Sequence, residues 1–428
     1  MKKYFMSVAA LAGMMSLAAC SSDDIVSPAD NDVQTIKIAV ASTGDKSTRS
    51  RDLNSEEPGQ NIENVAVVIR NKATNAVVYN TTIDNWNTKS TSYEDNGNGR
   101  EYTLKLEGDQ RLNAGEYTIT AVGYTAEDFK NNTIENATGV VAGNFSAEVA
   151  DGKAAQEAFA GESSINLLEN HAAINTSVTL HRQVAGYYGY FTSIPVKVDN
   201  KEVTDVRLVA RSKNMKLTYG NFNSSFTTTN DKIMYVVNGS EPATIKDAKF
   251  KGSADNDAYT VYNIKVAEWF TKGDTNNDGI LDEKDALTKN DEEAWINPLK
   301  KSKGYETYQK GTIFAGGFAV PFAATDAATL ELQLLDAKGE ILKAWTVEMA
   351  AAQPTGQDVD KVALPTETTQ NFSFFRNHMY TLGKKVDNTD NKPGTTTPDQ
   401  PEPLDKSQSM ILRVNDNWEV INRMTIGD

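Results

Sequence analysis

The final nineteen residues, Met410 to Asp428, constrain the fold before anything else does. Met410, Leu412 and Val414 share one face of an extended segment, with Ile411 and Arg413 on the other. A second apolar group follows in Trp418, Val420, Ile421, Met424 and Ile426. Val386 to Ser409, just before, is rich in Asp, Asn, Thr and Pro and has nothing to bury, so it reads as a flexible linker. An apolar strand on a polar tether is an aggregation hazard if it stays unpaired. It must complete its own domain or pair with a neighbour. Extended, the linker spans about 75–85 Å, enough for either.

The rest of the chain reads as all-β. Thr, Asn, Tyr, Val and Gly are plentiful, and long helical repeats of Leu, Ala and Glu are absent. At 428 residues there is length for two domains with proper cores. A net charge of −15 argues against a nucleic-acid partner, whose phosphates need Lys and Arg. The single cysteine rules out a disulfide framework or a Cys-based zinc site. Its position is informative. Lys2 and Lys3 precede an apolar run, Tyr4 to Ala19, too short to span a membrane, which ends Leu17-Ala18-Ala19-Cys20. That ending looks like a bacterial lipobox, with residues 1–19 as signal peptide, cleavage before Cys20 and acylation of its thiol. Ser21-Ser22-Asp23-Asp24 resembles the short acidic tag of surface-exposed lipoproteins.

A leader and first strand occupy 20–60. In the strand, Val33 to Ala41, Ile36, Ile38 and Val40 alternate with Lys37 and Ala39. Ser42 to Gln60 is a polar loop containing Arg49 and Arg51, which are either solvated linker charges or a processing site. Strands are expected at Val65–Arg70, Ala76–Thr82, Tyr102–Leu106, Glu116–Val122 and Ile174–Leu180, with a helical turn or two at Ala154–Phe159. In Glu116–Val122, Tyr117, Ile119 and Ala121 face in while Glu116, Thr118 and Thr120 face out. The boundary between an N-terminal sandwich (61–188) and a C-terminal one (189–385) falls between Ala185 and Pro195. Beyond it, Glu202–Ala210, Tyr259–Val266, Ile313–Val320, the alternating Leu330–Leu334, Ile341–Val347 and Phe372–Leu382 read as strands, without a detectable sequence repeat. Short strands with frequent turns fit two β-sandwiches in series, followed by the linker 386–409 and the strand-bearing tail 410–428.

One motif is sharp. Asp274-Thr275-Asn276-Asn277-Asp278-Gly279-Ile280-Leu281-Asp282-Glu283-Lys284-Asp285 places oxygen ligands at loop positions one, three, five, nine and twelve, with glycine at six for the tight turn. Calcium would take the carboxylates of Asp274, Asp278 and Asp285, the amide oxygen of Asn276 and the carbonyl of Ile280, with Asp282 acting through water. Aspartate at position twelve resembles the dockerin form of the loop. Such a loop would be a structural staple, stiffening an insertion at 267–299 that also holds Trp269, Phe270 and Trp295. Catalytic residues are not assigned. His171, His181 and His378 fit no metalloprotease or nucleophile pattern, and no acid pair stands out. Ala315-Gly316-Gly317-Phe318 lacks the Lys-Ser/Thr of a phosphate loop and reads as a strand with close backbone approach. Tyr187, Tyr188, Tyr190 and Phe191 have the chemistry to stack sugars, but such rings are more often core.

Together these pieces resemble the fimbrillins, the type V pilins of Gram-negative gut and oral bacteria, most nearly the subunit of the short, or minor, fimbria. The residues that carry the likeness are the lipobox at Cys20, Leu112 to Tyr117 (LNAGEY), Arg182 to Pro195 (RQVAGYYGYFTSIP), Arg376-Asn377-His378-Met379-Tyr380 and the tail around Trp418. The resemblance implies two transthyretin-like β-sandwiches and an assembly route. An exported lipoprotein precursor is cut by an arginine-specific protease in the loop after the first strand. Loss of that strand opens a groove, and the tail of another subunit fills it. Arg49 is then the first choice of cleavage site and Arg51 the second, although Ser50 or Asp52 follows where the family often has alanine.

On this reading Ile36, Ile38 and Val40 belong to the displaced strand, and Met410, Leu412, Val414, Trp418 and Val420 to the donor. Burying five or six large apolar side chains at roughly 1.5–3 kcal/mol each would make a slowly dissociating joint. The expected protein is a structural pilin, not an enzyme, at the cell surface. Its partners would be other pilin subunits, the outer membrane through the precursor's lipid, and the protease. A glycan-binding surface lipoprotein whose tail completes its own sheet, or an adhesive tip subunit of the same fimbria, is the alternative.

Overall fold

The computed structural model describes residues 34–40, 62–92, 100–125, 146–148, 155–210, 212–219, 238–244, 259–287, 293–296, 308–322, 330–349, 374–383, 400–406 and 410–415. The first half contains β1 (Gln34–Val40), β2 (Asn64–Asn71), β3 (Val77–Ile83), β4 (Thr91–Ser92), β5 (Arg100–Leu106), β6 (Gly115–Tyr124), β7 (Ser146–Glu148), β8 (Phe159–Leu167) and β9 (Ile174–Arg182). After it come β10 (Ala185–Thr192), β11 (Ile194–Pro195), β12 (Lys197–Val198), β13 (Lys201–Glu202), β14 (Asp205–Ala210), β15 (Ser212–Thr218), β16 (Gly239–Thr244) and β17 (Tyr259–Lys265). The last are β18 (Ile280–Leu281), β19 (Thr312–Ala319), β20 (Leu330–Leu335), β21 (Ile341–Met349), β22 (Met379–Leu382), β23 (Glu402–Pro403) and β24 (Met410–Asn415). The described helices are single turns.

Two large sheets dominate. One has eight strands in the order β3-β2-β6-β8-β9-β1-β5-β4. The other has nine, β17-β14-β20-β21-β24-β22-β10-β19, with β23 also beside β10. They follow one plan. β1 and β10 each run antiparallel to one strand (β5, β19) and parallel to a later one (β9, β22). β2 and β14 each sit between the strand that follows in their sheet (β3, β17) and a later one (β6, β20). The halves differ at one seam. β8 and β9 pair directly at Phe159–Arg182 and Ala160–His181, whereas β24 stands between their counterparts β21 and β22.

Alternation explains the first core. β1 buries Gln34, Ile36, Ile38 and Val40 and turns the intervening residues outward. Its aliphatic side chains meet Leu104 and Leu106 of β5, Val178 and Leu180 of β9, and, across the core, Val65, Val67 and Ile69 of β2. The opposite face of β2, Ala66 and Val68, joins the second half's core with Val122 and Tyr124 of β6. Buried on both faces, β2 reads as an unbroken apolar run. Tyr117, Ile119 and Ala121 are buried as the pattern predicts, but so is Thr120, because the far end of β6 packs against the second half.

Other expectations are corrected for related reasons. Leu330–Leu335 alternates in sequence yet is buried throughout; Glu331 and Gln333 are inside, joined by a 2.8 Å hydrogen bond from Gln333 Nε2. Ala155 is extended and bridges Phe318 rather than starting a helical turn. Phe374 bridges Phe322, and a turn at Arg376 and Asn377 precedes the short β22, so Phe372–Leu382 is not one strand. Asn377 takes φ 60°, which asparagine tolerates better than most residues. A Cβ at Gly317 would meet nothing, so no close approach requires that glycine. Within 386–409, Glu402 and Pro403 pair with Phe191 and Thr192, and Leu404 is fully buried, so part of the expected tether docks on β10.

The passage from β9 to β10 is a buried polar joint. Arg182 lies inside, with Nε and Nη2 on Glu157 Oε1 at 2.8 and 2.6 Å and its guanidinium 4.9 Å from the Phe159 ring centre. Gln183 Oε1 accepts from Arg376 and Asn238, each at 3.0 Å. His378 Nδ1 donates to the Arg376 carbonyl at 2.7 Å. Burial holds the His378 imidazole well below its usual 6.5, at about 4, the backbone hydrogen bond opposing only in part. The unfolded chain therefore binds the additional proton between about pH 6.5 and 4, and the folded chain does not. Stability should be full above that window and fall through it by on the order of 3 kcal/mol. Urea unfolding at pH 7 and pH 4.5 should show the loss, and His378→Asn should flatten this part of the profile.

Candidate functional site

β1 is an internal strand with both edges bonded along its whole length. Gln34–Val40 pair antiparallel with Leu106–Arg100 and parallel with Ile174–Leu180. Ile36, Ile38 and Val40 have no solvent exposure. At the head of the strand, Gln34 Oε1 accepts the Leu112 N–H at 2.7 Å, and Nε2 donates to the carbonyls of Leu112 (3.1 Å) and Ala172 (2.8 Å). The Thr35 hydroxyl donates to the Ile174 carbonyl at 3.1 Å, and Lys37 reaches Glu101 at 3.5 Å. Leu112 thus serves as an anchor for the first strand, a role its place in the LNAGEY turn did not reveal.

β24 likewise sits between one parallel and one antiparallel neighbour. Met410–Leu412 run parallel to Val347–Met349, and Arg413–Asn415 run antiparallel to Thr381–Met379. Met410 is fully buried. Leu412 and Val414 belong to this strand. The expected donor and displaced strands are therefore seated together, in different sheets, so they do not contend for one place within a single copy. Trp418 and Val420 lie outside the described residues, as do Cys20, Arg49 and Arg51.

The acidic loop folds tightly around Asp285. This fully buried carboxylate accepts the Thr275 N–H at 2.8 Å and the Asn276 N–H at 3.3 Å on Oδ1, and the Asp282 N–H at 3.1 Å on Oδ2. Asp274 Oδ2 accepts the Gly279 N–H at 2.8 Å, a closure that needs the glycine's φ of 84°. Its Oδ1 is shut off from solvent and receives no hydrogen bond. Carboxylate oxygens of Asp274, Asp278 and Asp285 lie within 4.8 Å of one another, so the three suit a hard cation. Asn276 Oδ1 accepts the Asp278 N–H, and Ile280 donates to Asp278 Oδ1 at 3.0 Å. Asp282 stands apart, its Oδ1 capping the Lys284 N–H at 2.8 Å. A hydrogen bond from Lys284 at 3.0 Å holds Asp278 below the usual carboxylate range.

Pairing anchors the loop. Ile280 and Leu281 pair with Pro195 and Ile194, and a Cβ at Gly311 would come within 2.3 Å of Glu283 N. Trp269, Phe270 and Trp295 are buried beside it, and the Trp295 indole N–H donates to the Thr312 carbonyl at 2.6 Å.

No protein-family model matches the chain, and no curated protein does. Among solved structures it is similar to a fimbrial assembly protein from Parabacteroides distasonis, at 14% identity and a TM-score of 0.35, covering 83% of this chain and 92% of that one. It is also similar to the tip fimbrial protein Mfa3 from Porphyromonas gingivalis, at 9% identity and a TM-score of 0.31, covering 83% and 96%. Scores this low carry nothing about partners or mechanism.

Tyr187, Tyr188, Tyr190 and Phe191 are all core; Tyr188 donates to the Tyr308 hydroxyl at 2.8 Å and Tyr187 lies 5.0 Å from Phe374, so they offer no exposed sugar platform.

The loop separates two kinds of carboxylate. Saturating calcium, at a hundredfold excess over its dissociation constant, should add about 2.7 kcal/mol to stability, and EDTA should remove it. Asp278→Ala should abolish that increment while leaving the calcium-free chain almost unchanged, since the carboxylate is exposed. Asp285→Ala should cost about 3 kcal/mol even without calcium, because its backbone donors lose their acceptor. Calorimetry with calcium and with chelator checks all three; a melting temperature indifferent to both would count against a cation site.

Proposed function

We propose that this chain is a structural pilin subunit that reaches the cell surface as a lipoprotein acylated at Cys20. Arginine-specific cleavage at Arg49 or Arg51 matures it, and subunits polymerise when the tail of one replaces the first strand of the next. The observation that supports this reading is the position of β1. It is an interior strand, bonded on both edges and fully buried on one face, and it lies N-terminal to the arginine-bearing segment. Removing it would strip two strand edges at once and uncover a strip lined by Leu104, Val178 and Leu180. Three buried aliphatic side chains, at about 1.5–3 kcal/mol each, measure how strongly that strip favours a new occupant. The seat of β24, between one parallel and one antiparallel neighbour, matches the kind of place β1 would vacate. Calcium held by Asp274, Asp278 and Asp285, with Asn276 and the Ile280 carbonyl contributing and Asp282 acting only through water, would stiffen the insertion without taking part in exchange.

Treating the purified precursor with an arginine-specific protease should give a ladder of SDS-resistant multimers, absent from untreated chain. Deleting 410–428 should abolish the ladder and leave a folded monomer, destabilised by the loss of β24. A ladder that persists after the deletion, or never forms in the native chain, would rule out exchange through the tail.

A further inference from the structure

Gln34 is an unusual residue to bury at the head of a strand that must be replaceable. It has no solvent exposure, and its amide makes three hydrogen bonds to the backbones of Leu112 and Ala172. Any strand taking this place without an amide would leave a buried N–H and two carbonyls unpaired. The slot therefore asks for four things in order: an amide, then aliphatic side chains at the second, fourth and sixth positions after it.

The chain contains a second segment that meets this demand. Residues 408–414 read Gln-Ser-Met-Ile-Leu-Arg-Val, against Gln-Thr-Ile-Lys-Ile-Ala-Val at 34–40. Amide, hydroxyl and three alternate apolar residues recur at the same spacing. The hydroxyl matters because Thr35 donates to the Ile174 carbonyl; Ser409 offers the same donor. Other registers fail on simple grounds. A slip of two residues puts either Asp416 at the buried place of Val40 or Lys406 at that of Gln34, an unpaired charge inside. A slip of one turns Met410, Leu412 and Val414 outward and brings Arg413 to a buried position.

Charge points to the same alignment. In β1, Lys37 reaches Glu101 diagonally, while Ala39 lies directly opposite it. In the tail the basic residue moves to the position of Ala39, as Arg413, which sets an Arg–Glu pair straight across the ladder.

We propose that residues 408–414 of a second copy of this chain occupy the β1 slot in this one register, with Gln408 taking the bonds of Gln34 and Arg413 facing Glu101. The proposal rests on the strand-exchange reading and adds to it the residues that fix alignment and partner choice.

The test uses the full chain, processed by an arginine-specific protease. Gln408→Leu should cut the yield of SDS-resistant multimers at fixed time by about tenfold or more. Arg413→Glu should lower it through like-charge contact with Glu101, and Arg413→Glu combined with Glu101→Arg should restore it. Independently of how the Gln408 variant folds, a chain with Glu101→Cys and Arg413→Cys should cross-link between copies within the multimers. Multimers that form equally well with Gln408→Leu, or that carry no 101–413 cross-link, overturn the register. If the native processed chain gives no multimers, strand exchange itself fails and the register falls with it.

Discussion

Everything in the first half depends on β1 being held by strands that follow it at a distance. Its partners are Arg100–Leu106 and Ile174–Arg182, and the amide at its head bonds to Leu112 and Ala172. No local turn joins it to either partner, so the core around Ile36, Ile38 and Val40 cannot close until the whole half has been brought together. Non-local closure of this kind is slow to form. On the proposed exchange it would also make the strand separable, since its place is defined by the slot and not by its covalent neighbours, and a chemically matched segment from elsewhere would satisfy the same edges.

The second half shows what the same plan becomes when an additional strand enters. β10 holds the place of β1, but its two sides are joined to the rest by the short passage from Arg182 to Ala185, where Arg182, Gln183, Glu157 and Arg376 form a buried network. Breaking one partner of a buried ion pair such as Arg182–Glu157 would strand the other charge, so this joint resists partial opening. β10 is thus fixed where, on the proposed exchange, β1 would be replaceable. The segments Arg182–Pro195 and Arg376–Tyr380, far apart in the chain, turn out to be neighbours across this joint: Gly186 N bonds the His378 carbonyl and Asn377 N that of Val184.

Strand positions were largely legible because period-two alternation is imposed by a half-buried sheet, as in Gln34–Val40 and Tyr117–Ala121. Alternation misled where packing covers both faces. Glu331 and Gln333 look like solvent residues until the Arg207 guanidinium is seen on Gln333 Oε1 at 2.8 Å. The gathering of Asp274, Asp278 and Asp285 was legible from their local spacing; the cap made by Asp282 and the backbone bonds accepted by Asp285 were not. The bonds of Gln34 were not legible, because an amide in a strand carries no signal of which distant carbonyls it meets. The shared plan of the two halves was also hidden. Sheet order depends on burial pattern, and many unrelated side chains supply the same pattern.

Why would the proposed exchange use an interior place instead of an exposed edge? A strand added at an edge is bonded on one side only and remains open to solvent on the other. A strand between β5 and β9 is bonded on both, and it shares a buried core with Ile62, Val65 and Ile119. To leave, it must break two ladders and expose its aliphatic face in the same step, so the barrier to dissociation includes nearly the full cost of opening the half. The same geometry would prevent premature joining on that route: while β1 is in place its edges are bonded, and Gln34 closes the end near Leu112 with bonds that an entering tail would have to break. On the proposed route, a covalent cut that releases β1 would change the exchange from uphill to downhill, and the match between 34–40 and 408–414 would decide which segment then moves in.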